Sequence, residues 1–388
     1  MRHPSRCLAV ALSLTVLFAA GCGDEPVVPD HGDYALTPIP GDFDDLPSRV
    51  RGSLVESARI GERVLFADRI DPEFTMGRGG GVVVGVRGVD DLLSGVQKTA
   101  LGPFDVLAGF GAIGGNGYVD DEQRDAFLSI TILSLPDAGQ ATAAAQAMAA
   151  ADFTANTENA PLVLPEFPAA LSHWRPGVPT AGSWLVWQNL VIRLYAKIVE
   201  PSPEQLTDLL ARTYRAQLAE LANFVPTPAA ELANLRLDSD HLLTRTLKTG
   251  EYWPDRWDFM LYGPRAYALL LDKPAARMRE FEAASMDAVA VSDNKFLHRA
   301  ADEPAATAFA ETERRSLLAA DYSAMRGVPG VDGIDCYRAA RPNPTSNSAR
   351  RFACLVWHGE FVVRLYSNQE DDVRRQAVAQ FALLGGQW

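Results

Sequence analysis

Cysteine and histidine are scarce, four and six in 388 residues, and that scarcity removes several chemistries at once. There is no CxxC pair, and the histidines fall at no metal-ligand spacing, so no metal site is expected. GxSxG, HExxH, the phosphate-loop GK[ST] and the EF-hand pattern are all missing, so no local signature of catalysis or of calcium binding is present. Positive charge is short as well: 36 Lys and Arg stand against 49 Asp and Glu, a formal net charge of −13. An acidic chain repels phosphate backbones, which argues against nucleic acid as a partner. It also repels anionic headgroups, so any membrane attachment needs an anchor. No stretch reaches the roughly eighteen apolar residues that a spanning helix requires.

The N-terminus offers an anchor of another kind. Arg2, His3 and Arg6 precede an apolar run from Leu8 to Ala20 that only Ser13 and Thr15 interrupt. That run suits the core of a secretory leader. It ends in Ala19-Ala20-Gly21-Cys22, which resembles a bacterial lipobox with Ala19 where Leu is usual. Residues 1–21 are therefore expected to be a lipoprotein signal peptide, and Cys22 the lipidated first residue of the mature chain. An ordinary leader cleaved nearby, with Cys22 incidental, is the alternative. Residues 22–45, rich in Pro, Gly and Asp, read as a flexible tether. With Cys7 in the leader and Cys22 acylated, Cys336 and Cys354 remain as an even pair in an oxidising compartment, and a disulfide is expected. Free thiols or half a metal site are the alternatives.

The chain repeats itself. Leu185-Val186-Trp187-Gln188-Asn189 and Val191-Ile192-Arg193-Leu194-Tyr195 are echoed by Leu355-Val356-Trp357-His358-Gly359 and Val362-Val363-Arg364-Leu365-Tyr366. Both read as β-hairpins followed by an amphipathic helix. The first of these helices opens on a capping box, Ser202-Pro203-Glu204-Gln205. Upstream, the strands at Leu128–Leu133 and Val289–Leu297 lead into helices at Asp137–Ala151 and Glu303–Ala320. His173 and Trp184 stand near the places of the second copy's cysteines, so packing of Trp184 is expected to replace the covalent staple. The order predicts an α+β protein of two tandem related domains, 46–225 and 226–388, each a mainly antiparallel sheet covered by helices on one face. Pro226-Thr227-Pro228 marks the junction.

The lipobox, the tether and the two halves resemble an uncharacterised family of two-domain lipoproteins from mycobacteria, nocardiae and relatives. Each half also resembles the extracytoplasmic sensor domain of actinobacterial serine/threonine kinases of the PknH type. The resemblance implies an α/β sandwich and an exported location, and it brings no catalytic residues.

Three further features were weighed for chemistry. Gly109 to Gly114 spells GxGxxG, but Gly115-Asn116-Gly117 follows where a dinucleotide site needs a helix, so a flexible loop and no cofactor are expected. The acidic clusters Asp42-Asp44-Asp45 and Asp120-Asp121-Glu122 read as solvated charge. Tyr252, Trp253, Trp257 and Tyr262 form a candidate aromatic patch for a glycan, peptide or lipid, against the expectation that such rings bury between the halves. The resulting expectation is a non-catalytic ligand- or partner-binding module of the cell envelope, on the outer face of the cytoplasmic membrane. Its partners would be the membrane, through the lipid, and a lipid, glycan or protein ligand. An envelope hydrolase with a site assembled from distant residues and a structural spacer are the alternatives.

Overall fold

Among the described residues fourteen short segments pair into two seven-stranded antiparallel sheets, and β-branched and aromatic residues are frequent in their central strands. The computed structural model describes residues 29–89, 92–250, 253–256, 258–341 and 350–387. The leader, Cys22, Tyr252 and Trp257 lie outside the described residues.

The first sheet has strands β1 (Met76–Val83), β2 (Ala108–Gly115), β3 (Phe127–Ser134), β4 (Ala160–Pro161), β5 (Leu171–Trp174), β6 (Thr180–Trp187) and β7 (Leu190–Lys197). Its helices are α1 (Arg49–Gly61), α2 (Gly95–Leu101), α3 (Ala138–Thr154) and α4 (Pro203–Leu221). The second has β8 (Phe259–Tyr262), β9 (Ala288–Ser292), β10 (Lys295–Arg299), β11 (Tyr322–Ala324), β12 (Ile334–Ala339), β13 (Phe352–His358) and β14 (Phe361–Ser367). Its helices are α5 (Leu242–Arg245), α6 (Pro264–Ala268), α7 (Pro274–Ala283), α8 (Glu303–Ala319) and α9 (Glu370–Leu383).

Strand order is β1-β2-β3-β7-β6-β5-β4 in the first sheet and β8-β9-β10-β14-β13-β12-β11 in the second. The two orders match strand for strand. Helices α3 and α8 match as well: both are 17 residues long, and both open on an aspartate N-cap, Asp137 and Asp302, which accepts the third backbone N–H that follows.

The helices cover both faces of each sheet rather than the one face expected. On β3, Leu128, Ile130 and Ile132 meet α1 and α4, while Leu133 on the opposite face packs with the alanines of α3. On β13, Cys354 and Val356 face α9, while Ala353 and Leu355 face Leu317 of α8. Strands apolar on both sides need two covers. The GxGxxG stretch is also not a loop. It is buried in β2, where a Cβ at Gly109 would sit 2.6 Å from the Ile132 carbonyl.

Part of the expected tether is packed. Asp44 is buried, ion-pairs with Arg51 at 3.1 Å, and accepts the N–H groups of Leu237 and Asp238. Arg51 in turn donates to the carbonyls of Phe43, Leu46, Ala233 and Leu235. Tyr34 donates to Asp372 of α9. Of the acidic cluster Asp44 is thus partnered inside the fold while Asp42 and Asp45 are exposed, and with Asp30 paired to Arg375 the chain from about residue 30 is held. The chain also stays with the first half beyond Pro226, since Thr227 donates through its N–H and its hydroxyl to the buried Glu56 of α1.

One hydrophobic cluster runs through both halves, from Leu54 and Phe110 to Phe259, Tyr267 and Val363. Glu62 accepts the Ala266 N–H at 2.7 Å, and Arg265 pairs with Glu220 at 2.7 Å, clamping α6 against the first half. In the second half Cys336 and Cys354 face one another on β12 and β13 and are disulfide-bonded. The register places Ser172 and Ser183 at the same two positions of the first half. Their hydroxyls lie 2.6 Å apart, and Tyr214 donates to Ser183. The staple's counterpart is thus a serine hydrogen bond. Trp184, expected in that role, stacks on His173 on the opposite face of the sheet.

Candidate functional site

The residues of the aromatic stretch do not form one surface among the described residues. Trp253 is 73% exposed, whereas Tyr262 is buried at the end of β8 with its hydroxyl donating to the Arg256 carbonyl. The cleft between the halves, about 490 Å³, is walled by Gly79–Val82 of β1, Tyr262, Tyr267 and Phe296. A groove of about 670 Å³ between α7 and α8 is lined mainly by alanine.

A third cavity, of about 510 Å³, is different in kind. It opens on the first sheet where α2 and α3 stop short of covering β3 and β7. Residues Ser129, Arg193 and Tyr195 of these strands form its floor, with His173 and Trp174 of β5 and Gln97 and Asp152 of the helices as walls. Strand alternation puts Ser129, Thr131, Arg193 and Tyr195 on this face, opposite the apolar face that meets α4.

Asp152 organises one wall. Its Oδ1 accepts from Gln97 Nε2 at 2.8 Å and Ser94 Oγ at 3.2 Å, and its Oδ2 lies 3.1 Å from His173 Nε2. Burial opposes its ionisation, but the bonds from His173 and Gln97 outweigh it and hold the carboxyl below the usual carboxylate range. His173 is itself fixed by stacking on Trp184 at 5.5 Å. An Asp–His pair is the base half of a nucleophile triad. Among the described residues no serine, threonine or cysteine bonds to either ring nitrogen of His173.

Arg193 is the unusual group. It is 5% exposed, and one Nη donates to the Leu92 carbonyl at 3.2 Å. Its Nε has no partner, and among the described residues no carboxylate lies within ion-pair distance. Burial pulls the guanidinium down to about 10, only partly offset by the field of Asp152. The group still carries its charge at neutral pH. Gln97 Oε1 and Ser129 Oγ are likewise buried without a partner. Such orphaned polar groups in one cavity are the mark of a site made for a polar occupant.

In the sequence Arg193 and His173 stand out only as parts of the repeat, and nothing local assigns them or Trp174 to a site. The signal was the repeat itself: once the halves are aligned through Asp137 and Asp302, Thr131 and Asp152 of the first copy stand against Phe296 and Leu317 of the second.

Comparison with known proteins is consistent with the two-part architecture. The family model described as domain of unknown function (DUF7373) N-terminal matches residues 43–237, and its C-terminal counterpart matches residues 242–387. No curated protein matches the chain. A solved structure, the extracellular domain of PknH from Mycobacterium tuberculosis, is similar at 11% identity and a TM-score of 0.28, over 47% of this chain and 98% of that one. The two family models, end to end across both sheets, show that the chain belongs to the DUF7373 family.

Proposed function

We propose that this protein is a non-catalytic, extracytoplasmic ligand-binding module, tied to the outer face of the membrane through Cys22, and that the cavity over β3 and β7 is its binding site. The observation that carries the site is the set of buried polar groups left without partners there, Arg193 Nε, Gln97 Oε1 and Ser129 Oγ. The leader, the Cys22 context and the disulfide support the compartment.

Two experiments test this reading. In a thermal-shift screen of the full-length protein against small polar metabolites, at least one compound should raise Tm. Thr131→Phe should abolish that shift, because it introduces the ring that the second half carries at the matching position, Phe296. Trp174→Ala at the wall should weaken it. A shift that survives both variants, with circular dichroism unchanged, would move the site elsewhere. In the native host, Cys22→Ser should move the protein from the membrane fraction to the soluble fraction. Retention in the membrane would remove the anchor.

A further inference from the structure

The register of the two sheets pairs Arg193 of β7 with Arg364 of β14. Each lies opposite the matching residue of the neighbouring strand, Thr131 in the first half and Phe296 in the second. The two halves treat the same buried arginine in opposite ways. In the second half, Glu313 of α8 reaches Arg364 at 2.9 Å and Arg277 at 2.5 Å, and it is fully buried. Burial works against the charge of Arg364, but Glu313 more than restores it and raises the guanidinium above its ordinary value. Glu313 is the eleventh residue of α8, and the eleventh residue of α3 is Met148.

The neighbouring positions have diverged in step. Phe296 and Leu317 surround Arg364, and their counterparts around Arg193 are Thr131 and Asp152. Tyr337, at the position matched by His173, packs with Leu317 and Tyr366. Rings and Leu317 therefore fill the space in the second half that stands open as the cavity in the first. The internal carboxylate and the filling are lost together, and the buried cation remains.

We infer that the cavity of the first half takes a small organic acid, whose carboxylate sits on Arg193 as Glu313 sits on Arg364, with an apolar or aromatic body lying against Phe127, Trp174 and Tyr195. This rests on the reading of that cavity as the binding site. A carboxylate is favoured because the second half already holds one in that seat. The rings on the floor and wall, with Phe127 and Tyr195 at 5.8 Å, offer an apolar surface for the rest of the molecule. The resident carboxylate, Asp152, is not the missing counter-ion. Its oxygens are taken by Gln97, Ser94 and His173, and no ion pair joins it to Arg193.

The test is calorimetric titration of the full-length protein with phenylacetate and indole-3-acetate, each against its uncharged amide, and with inorganic phosphate. The acids should bind at least tenfold more tightly than the amides and than phosphate. Arg193→Gln should lose that preference. Met148→Glu should abolish acid binding by supplying the carboxylate from within, while melting at or above the wild-type temperature. That second variant answers the objection that Arg193→Gln has merely unfolded the site. Amides binding as well as acids, or Met148→Glu binding the acids unchanged, would overturn the inference. Phosphate binding as tightly as the acids would replace carboxylate selectivity by general oxyanion binding and overturn it too. The cavity reading fails separately: it falls if no compound of any charge distinguishes wild type from Thr131→Phe, and it stands if neutral compounds do while the acids do not.

Discussion

Replacing Glu313 by methionine, the residue the first half has at that position, should destabilise the protein by about 3–5 kcal/mol. The carboxylate is fully buried, 2.5 Å from Arg277 and 2.9 Å from Arg364, with both cations largely enclosed. At an effective dielectric of about 20, each contact represents roughly 6 kcal/mol of gross attraction. Most of that only offsets the desolvation of three charges, several kcal/mol per ion, so the net value of the triad against an apolar core is small. Removing Glu313 alone is another matter, because Arg364 stays buried against Phe296 and Tyr366 with no anion, and Arg277, between Phe281 and Phe309, keeps only Glu280 at 2.8 Å. Because a single apolar cluster joins the halves, urea unfolding should show one cooperative transition, and its midpoint should fall. Tm should fall by roughly 4–7 °C. Adding Arg364→Met to Glu313→Met should recover part of the loss, since it removes the charge left without an anion. A loss under about 1 kcal/mol for Glu313→Met, or no recovery in the double variant, would refute the reasoning that the second half depends on an internal counter-ion.

Ser172→Cys with Ser183→Cys should form a disulfide without rearrangement, because these positions match Cys336 and Cys354 in register. Resistance to alkylation by mass spectrometry checks it. The gain should be about 3 kcal/mol in chain entropy, less about 1 kcal/mol for the Tyr214 bond to Ser183. Lys295 is fully buried beside Thr249 and Asn294, and burial pulls its ammonium from 10.5 to about 8. The unfolded chain therefore holds a proton that the folded chain lacks between those pH values, and stability rises as pH climbs through the window. Lys295→Met should raise Tm at pH 7, by about 1–3 kcal/mol of stability, and the advantage should shrink toward pH 10.5. An equal effect at both pH values would contradict this. Gly52→Ala should prevent native folding, because its Cβ would fall 1.8 Å from the Leu232 carbonyl; a cooperative melt near the wild-type temperature would show that the contact relaxes.

Much of the architecture was legible because its signals are local. Hairpins, caps and helical stripes depend on residues a few positions apart, so Asp137, Asp302 and Ser202 mark helix starts where the structure has them. The cysteine pair was legible for the same reason of simple arithmetic. Which faces the helices cover was not, since an apolar strand such as β3 reads alike whether one or both sides are packed. Nor was the strand at Gly109–Gly114, where glycine is required by the close approach of Ile132 and Leu92 from distant parts of the chain. The held segment before α1 was misread because Asp44 is solvated in any local view, and its partner contacts come from Arg51 and from Leu237 and Asp238, nearly two hundred residues on.

The cavity was illegible for a related reason: it is a local departure from a packed design, and sequence shows the departure only when the packed design is known. Here the chain supplies its own reference. The second half shows what the sheet and its covering helix do with an arginine on the central strand of the seven: they give it a glutamate and set it against the rings of Phe296 and Tyr366. The first half keeps the arginine, with Tyr195 beside it as Tyr366 is beside Arg364, but it has Met148 in place of the glutamate and Thr131 in place of Phe296. An unpaired buried cation costs stability, and such a site persists only if the rest of the fold supports it. The support is visible in the apolar cluster shared by the halves and in the clamp of Glu62 and Glu220 on α6.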